Sequence, residues 1–363
     1  MQDFKIHRVF KDNCQMGEGE SIFLDDPQLS KDELKKLYRT MILNRNLDGK
    51  LLNLQRQGRL GFYLTSTGEE ATHIGSAYAM AKKDWVFPCY REPGAALIRG
   101  FPLQLYVNQC YGNSGDLEKG RQMPCHYGHK ESNLPSVSSP VGTQIPHAAG
   151  AAWGAKINGD KVATLVYFGD GATSEGDFHV GLNFAGVYKA PVIFFCRNNG
   201  YAISTPFSSQ TASENIVIKA KAYGVEGIQV DGNDLLAVIA VTKKARDRAL
   251  SGKGPTLIEG LTYRVGAHSS SDDPKAYRED EELEKWKTKD PIERFKNYLI
   301  KKNIWNEDYE HKLQEETKEE INEAVEKAEK LGPPAIETIF EDVYAELLPS
   351  LKDQMEELKR FVN

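Results

Sequence analysis

The chain is 363 residues long, 40% hydrophobic and 27% charged, with a formal net charge of −6 at pH 7. That suits a soluble globular protein of one large α/β domain with appendages, or of two modest domains. The acidic balance speaks against nucleic acid or an anionic membrane surface as the main partner, and the longest apolar runs, such as residues 191–196, are too short to cross a bilayer.

Residues 1–13 mix acids, bases and amides, without the apolar core of a secretory signal or the Arg-rich, acid-poor make-up of a transit peptide. The five cysteines, at 14, 89, 110, 125 and 196, include no CxxC pair. Together these features predict free thiols in a reducing cytoplasm.

Up to about Leu29 no period is sustained, and Gly-Glu-Gly-Glu and Asp-Asp-Pro mark residues 1–30 as an arm. Ser30, with Glu33 three residues on, carries a capping-box signature. Leu34, Leu37, Tyr38, Met41 and Ile42 follow at helical spacing. A second helix is predicted over 69–81. Residues 161–168 (KVATLVYF) read as a buried strand, followed by Gly-Asp-Gly, a helix over about 174–188 and a second apolar strand at 192–196. Such a β-α-β unit places its strands parallel, with both C-terminal ends on one edge. Strands at 228–230 and 256–262 flank a helix over 235–250. The alternation predicts a doubly wound, mostly parallel sheet with helices on both faces. A polar loop at about 266–280 closes this 31–285 domain, and a charged helical region, 286–363, includes a long amphipathic helix over 307–331.

Chemistry concentrates at the ends of two strands. Gly169-Asp170-Gly171-Ala172 ends the first, and Asn198-Asn199 ends the next, with 26 residues between Gly171 and Asn198. Backbone N–H groups of Gly171 and Ala172, where the following helix is expected to begin, suit a phosphate. Asp170 and Asn199 offer the hard oxygens that Mg²⁺ takes alongside a diphosphate, and the crevice beyond parallel strand ends is where such folds bind ligands. Taken separately, Gly-Asp-Gly and Asn-Asn-Gly are ordinary turns. Joined by one crossover, they form a site. Cys125-His126-Tyr127-Gly128-His129 has no second ligand cluster, so zinc is not expected.

Gly-Asp-Gly followed by Asn-Asn is similar to the signature of thiamine-diphosphate enzymes. The wider stretch GDGATSEGDFHVGLNFAGVYKAPVIFFCRNNGYAIS resembles the E1 α subunit of 2-oxo acid dehydrogenase complexes. FPCYRE, GRQMPCHYG, SSPVGTQIPHAAGAA, DGND and LIEGLTYRVGAHSSSDDPKAYR resemble it in the same order. The resemblance implies the thiamin diphosphate-binding fold, with Mg²⁺ on Asp170, Asn199 and the Tyr201 carbonyl. It implies cofactor contacts from Tyr90, Arg91, Gly169, Gly171, Ala172, Arg197 and His268, with Ser139 and Val141 on the thiazolium side. Glu175, one turn into its helix, would position the loop or bind cofactor. His268 would be catalytic, at the entrance, in a loop ordered by Arg264, Asp272, Tyr277 and Arg278. Ser269 matches a serine phosphorylated in mitochondrial relatives, and His126 a position near the substrate. Ala267 and Cys89 depart from the branched-chain pattern, which has His and Gln there.

By the same resemblance the chain acts in an α₂β₂ heterotetramer. A separate β subunit supplies the acid that activates the cofactor ring, and the assembly docks on the lipoyl domain and core of an E2 acyltransferase. The implied reaction is decarboxylation of a 2-oxo acid with reductive acylation of the lipoyl group. GRQMPCHYG favours branched-chain 2-oxo acids, with pyruvate or acetoin as alternatives. A Mg²⁺-nucleotide enzyme, which would lack its GxxxxGK[ST] loop here, and a non-catalytic scaffold subunit are the readings from other classes.

Overall fold

The computed structural model describes residues 5–10 and 21–362; Cys14 and the Gly-Glu-Gly-Glu at 17–20 lie outside them. Along the described chain run the strands β1 (Ile6–Arg8), β2 (Ser21–Phe23), β3 (Trp85–Phe87), β4 (Thr164–Gly169), β5 (Val192–Asn198), β6 (Tyr201–Ala202), β7 (Thr205–Pro206), β8 (Glu226–Asp231) and β9 (Thr256–Leu261). The helices are α1 (Lys31–Arg56), α2 (Glu70–Ala79), α3 (Pro93–Ile98), α4 (Leu103–Tyr111), α5 (Gln144–Ile157), α6 (Gly176–Tyr188), α7 (Phe207–Gln210), α8 (Leu235–Leu250), α9 (Asp280–Lys287), α10 (Pro291–Lys301), α11 (Glu307–Glu329) and α12 (Pro349–Val362). Seven strands pair, all in parallel, in the order β2-β1-β8-β9-β5-β4-β3, while β6 and β7 make a separate antiparallel hairpin.

The two-sided burial predicted for the central strands is explicit in their alternation. Leu165, Tyr167, Ile193 and Phe195 enter a core built with α1, α2, α8 and α11. Val166, Phe168, Phe194 and Cys196, the residues between them, enter a second core under α5 and α6. Each buried side chain of this kind contributes about 1.5–3 kcal/mol, so a one-residue slip of register would cost most of both cores. The capping box forms as the spacing predicts: Glu33 N–H donates to Ser30 Oγ (3.3 Å) and Ser30 N–H to Glu33 Oε2 (2.8 Å). α11 buries the stripe Leu313, Thr317, Ile321, Ala324, Val325 and Ala328 against α1 and α4, leaving its Glu/Lys face in solvent.

Three local expectations are corrected. The region expected to be an arm contributes β1 and β2 to one sheet edge. Strands of three residues show no readable period; β1 pairs with β8 and β2, and the chain leaving β1 is fixed by Asp234, whose Oδ2 accepts from Val9 N (2.7 Å) and Phe10 N (2.6 Å). Charge-assisted bonds of this sort are worth about 1.5–3 kcal/mol each. At the other edge β3 was not anticipated, again because it is short. The third correction concerns the helix after Gly-Asp-Gly. Residues 170–174 form a 3₁₀ turn, and α6 starts only at Gly176. Glu175 is therefore the N-cap residue rather than a residue one turn in, and its exposed side chain makes no capping bond. The N–H groups of Gly171 and Ala172, expected at a helix start, belong to the 3₁₀ turn and not to the helix.

Among the described residues no helix is long and apolar enough to cross a membrane. Cys89, Cys110, Cys125 and Cys196 are free and buried.

Candidate functional site

Gly169 pairs with Arg197 in the β4–β5 register, so the turns after both strands leave the same sheet edge. Asp170, 1% exposed, sits in the first turn. Its Oδ2 accepts from Gln210 Nε2 at 2.6 Å. Burial nonetheless pushes its pKa up; the pocket holds this anion at a cost unless a cation joins it. Asn199 donates Nδ2 to Glu69 Oε1 (3.0 Å), while its Oδ1 accepts from Tyr201 N (3.3 Å). Gly171 is pressed by the β6–β7 hairpin: a Cβ there would lie 2.6 Å from Ala202 Cβ. Only glycine fits.

Cationic side chains surround this pair. Arg197 is buried between two carboxylates, donating Nη1 to Glu69 Oε2 at 2.5 Å and pairing Nη2 with Glu92. Arg91 donates Nη1 to the Thr65 carbonyl (2.5 Å) and Nη2 to the His268 carbonyl (2.8 Å), and faces His268 Nδ1 at 3.3 Å. Burial, then the neighbouring Arg91 and Arg264, push the His268 pKa down to about 3. The imidazole is therefore neutral at physiological pH. Its Nδ1 faces a guanidinium, which can only donate, so Nε2 carries the proton.

The His268 loop is tied at several points. Asp272 Oδ2 accepts from His268 N (2.7 Å) and Tyr277 Oη (2.6 Å). Arg264 donates to Tyr277 Oη (3.0 Å) and to the carbonyls of Tyr201 (3.2 Å) and Ile203 (2.6 Å), joining loop to hairpin. Arg278 reaches back to the Arg264 (2.5 Å) and Val265 (2.8 Å) carbonyls. Ser269 is half-buried, and its Oγ accepts from Ser271 N (3.3 Å). Ser270 is bonded through both N–H and Oγ to the backbone of Tyr63.

One cleft of about 250 Å³ collects most of the predicted residues: Tyr90, Arg91, Val141, Gly169, Asp170, Gly171, Ala172, Glu175, Arg197, Asn199, Tyr201, Arg264 and His268 all line it. Ser139 does not line the cleft and is exposed. His126 stands behind it, stacked on Tyr90 with ring centroids 6.3 Å apart. Asp272, Tyr277 and Arg278 support the loop from outside. Cys125 and His129 turn to different partners, Tyr106 Oη (3.7 Å) and Ser132 Oγ (2.8 Å).

A family model for the dehydrogenase E1 component matches residues 38–337. This chain belongs to the dehydrogenase E1 component family. It is 48% identical over 337 residues to the human protein named 2-oxoisovalerate dehydrogenase subunit alpha, mitochondrial, covering 93% of this chain and 76% of that protein. The Caenorhabditis elegans protein of the same name is 49% identical over 340 residues, 93% of this chain and 78% of its own. The Arabidopsis thaliana subunit alpha 2, mitochondrial, is 44% identical over 358 residues, 98% and 75%. E1 membership implies thiamine diphosphate as cofactor and, in general, a β subunit and an E2 partner. The cytoplasmic expectation is overturned, since these relatives are named mitochondrial and point to the mitochondrion instead. Targeting is read from a separable segment, so the make-up of residues 1–13 carried no weight on the address of the folded body.

The E1 site fits an anionic group. Arg197 Nε and Arg264 Nε are buried donors without a partner, on side chains that line the cleft. Buried donors of this kind are rare unless a ligand or water meets them. Sequence reading missed Glu69, Glu92 and Gln210, the residues that hold Arg197, Asn199 and Asp170. Glu92 lies inside FPCYRE, and Glu69 was legible only as an acid at a helix start. Gln210 carries no signal.

Proposed function

We propose that this chain is the α subunit of the E1 component of a mitochondrial branched-chain 2-oxo acid dehydrogenase complex. In that role it binds the Mg²⁺-diphosphate end of thiamine diphosphate. The observation that carries the reading is the meeting of Asp170 and Asn199 with Arg91, Arg197, Arg264 and His268 in one cleft at parallel strand ends. Thiamine diphosphate, when bound, supplies the carbanion chemistry of decarboxylation.

Asp170 and the Oδ1 of Asn199, with the Tyr201 carbonyl, are the hard oxygens for Mg²⁺. One carboxylate with neutral oxygens suits this ion, which takes its remaining ligands from phosphate and water. Arg197 and Arg264, whose Nε–H groups lack a partner, and the N–H groups at Gly171 and Ala172 would be the donors for the diphosphate. Val141 lines the cleft on the side proposed for the thiazolium ring, from which Ser139 stands apart, and Glu175 stands at the rim, its backbone N–H closing the turn on the Ala172 carbonyl (3.1 Å). His268 presents Nε2–H at the entrance, a neutral donor able to stabilise developing negative charge on substrate without repelling Arg91. The Tyr90–His126 stack forms an aromatic wall suited to an apolar acyl side chain. A β subunit completes the site in an α₂β₂ heterotetramer, which passes the acyl group to a lipoyl arm of E2.

The kinetic test is kcat/KM of the reconstituted heterotetramer. A preference of about tenfold or more for 3-methyl-2-oxobutanoate over pyruvate is expected, since two methyl groups in an apolar pocket are worth about 1–3 kcal/mol each. Equal values, or a preference for pyruvate, contradict the branched-chain reading.

A further inference from the structure

Glu69 occupies the N-cap position of α2, yet its carboxylate makes no capping bond to its own helix. The side chains preferred at this position, Ser, Thr, Asp and Asn, accept from the N2 or N3 backbone N–H. Here the fully buried side chain turns the other way, into the site. Oε2 accepts from Arg197 Nη1 at 2.5 Å; Oε1 accepts from Asn199 Nδ2 at 3.0 Å and lies 3.9 Å from Arg91 Nε. One carboxylate thus touches three side chains assigned to cofactor.

We infer that Glu69 is a positioning residue that dictates which atom of Asn199 faces the cleft while holding Arg197 in its pairing plane. The inference rests on the Mg²⁺-thiamine diphosphate reading above. A carboxylate accepts and never donates, so Asn199 must turn its NH₂ toward Glu69. Its oxygen is then forced to the opposite side, toward Tyr201 and the cleft, which is the orientation a cation needs. Charge balance for Arg197 does not by itself require Glu69, because Glu92 already pairs with the other guanidinium nitrogen. A second buried carboxylate is costly, and its contact with a neutral amide is not explained by charge balance. The base of Glu69 is rigid as well. The preceding Gly68 has φ +98°, and a Cβ there would lie 2.5 Å from the Tyr263 carbonyl.

The test titrates Mg²⁺ with thiamine diphosphate, by calorimetry, into cofactor-stripped complexes of α variants co-expressed with the β subunit. Wild type binds. Glu69→Gln is expected to weaken binding about ten- to a hundredfold, as loss of a residue that orients a metal ligand does, because its NH₂ must face one of two donors. Glu69→Asp, which keeps the charge, recovers part of the loss and serves as the probe if Glu69→Gln does not assemble. The decisive arm exchanges donor and acceptor. Asn199→Asp sets two carboxylates against each other and loses binding; Glu69→Gln added to it restores at least about tenfold, a coupling that a merely structural role does not produce. Glu69→Gln within about twofold of wild type, or a double variant no better than Asn199→Asp, overturns the inference while the cofactor reading stands. A wild-type complex that takes up no thiamine diphosphate sinks the cofactor reading, and this inference with it.

Discussion

Replacing Arg197 by alanine is expected to destabilise the apo protein by about 3–5 kcal/mol at pH 8, the usual cost of stranding a buried charge. The guanidinium is 2% exposed and neutralises Glu69 and Glu92, neither of which has another full ion pair at hydrogen-bonding distance. The loss should depend on pH in a defined direction. Burial already raises the Glu92 pKa with Arg197 present, the nearby cation being the largest opposing influence. Without Arg197 the folded value rises further above the unfolded one. A raised carboxyl pKa gives stability that is present at low pH and is lost as pH climbs through the folded value. The variant's deficit should therefore shrink between pH 8 and pH 5.5 in urea unfolding. A deficit below about 1 kcal/mol, or one that grows on acidification, would contradict the buried-pair account.

Asp170→Ala is expected to do the opposite. Desolvation is the largest influence on Asp170, and its pKa is raised despite its hydrogen bonds. Removing the carboxylate relieves that cost and leaves Gln210 Nε2 its bond to the Thr205 carbonyl (3.0 Å). Apo stability should be unchanged or slightly higher. Binding of Mg²⁺-thiamine diphosphate should fall more than about a hundredfold, beyond the loss of a residue that only orients a ligand, and holoenzyme activity with it. Unaltered activity would revive the scaffold reading. A strong loss of apo stability would mean that Asp170 is structural. Stability and function parting company is the signature of a residue kept for a ligand.

Much of this was legible in the sequence for reasons particular residues make plain. The strands β4 and β5 are apolar on both faces because both faces meet helices, and the start of α8 follows from Asp234, which accepts from Ala237 N at 3.0 Å. Asp170 and Asn199 were readable because they end consecutive strands. The short edge strands were not, since three residues carry too little pattern and Ile6–Arg8 joins the sheet through residues more than 220 positions away. Glu69, Glu92 and Gln210 escaped for a similar reason: their partners Arg197, Asn199 and Asp170 are remote in sequence, and a lone acid or amide looks the same whether it caps a helix or holds an active site. The start of α6 was misplaced because Gly-Ala-Thr-Ser fits a 3₁₀ turn as readily as the first turn of a helix.

A chain that holds only the cofactor's Mg²⁺-diphosphate end is half of an active site. Release of CO₂ from 3-methyl-2-oxobutanoate, measured with Mg²⁺ and thiamine diphosphate for the α chain alone, the β chain alone and the two together, tests it directly. Turnover only in the assembled sample is the expected result. Decarboxylation by the isolated α chain would contradict the account.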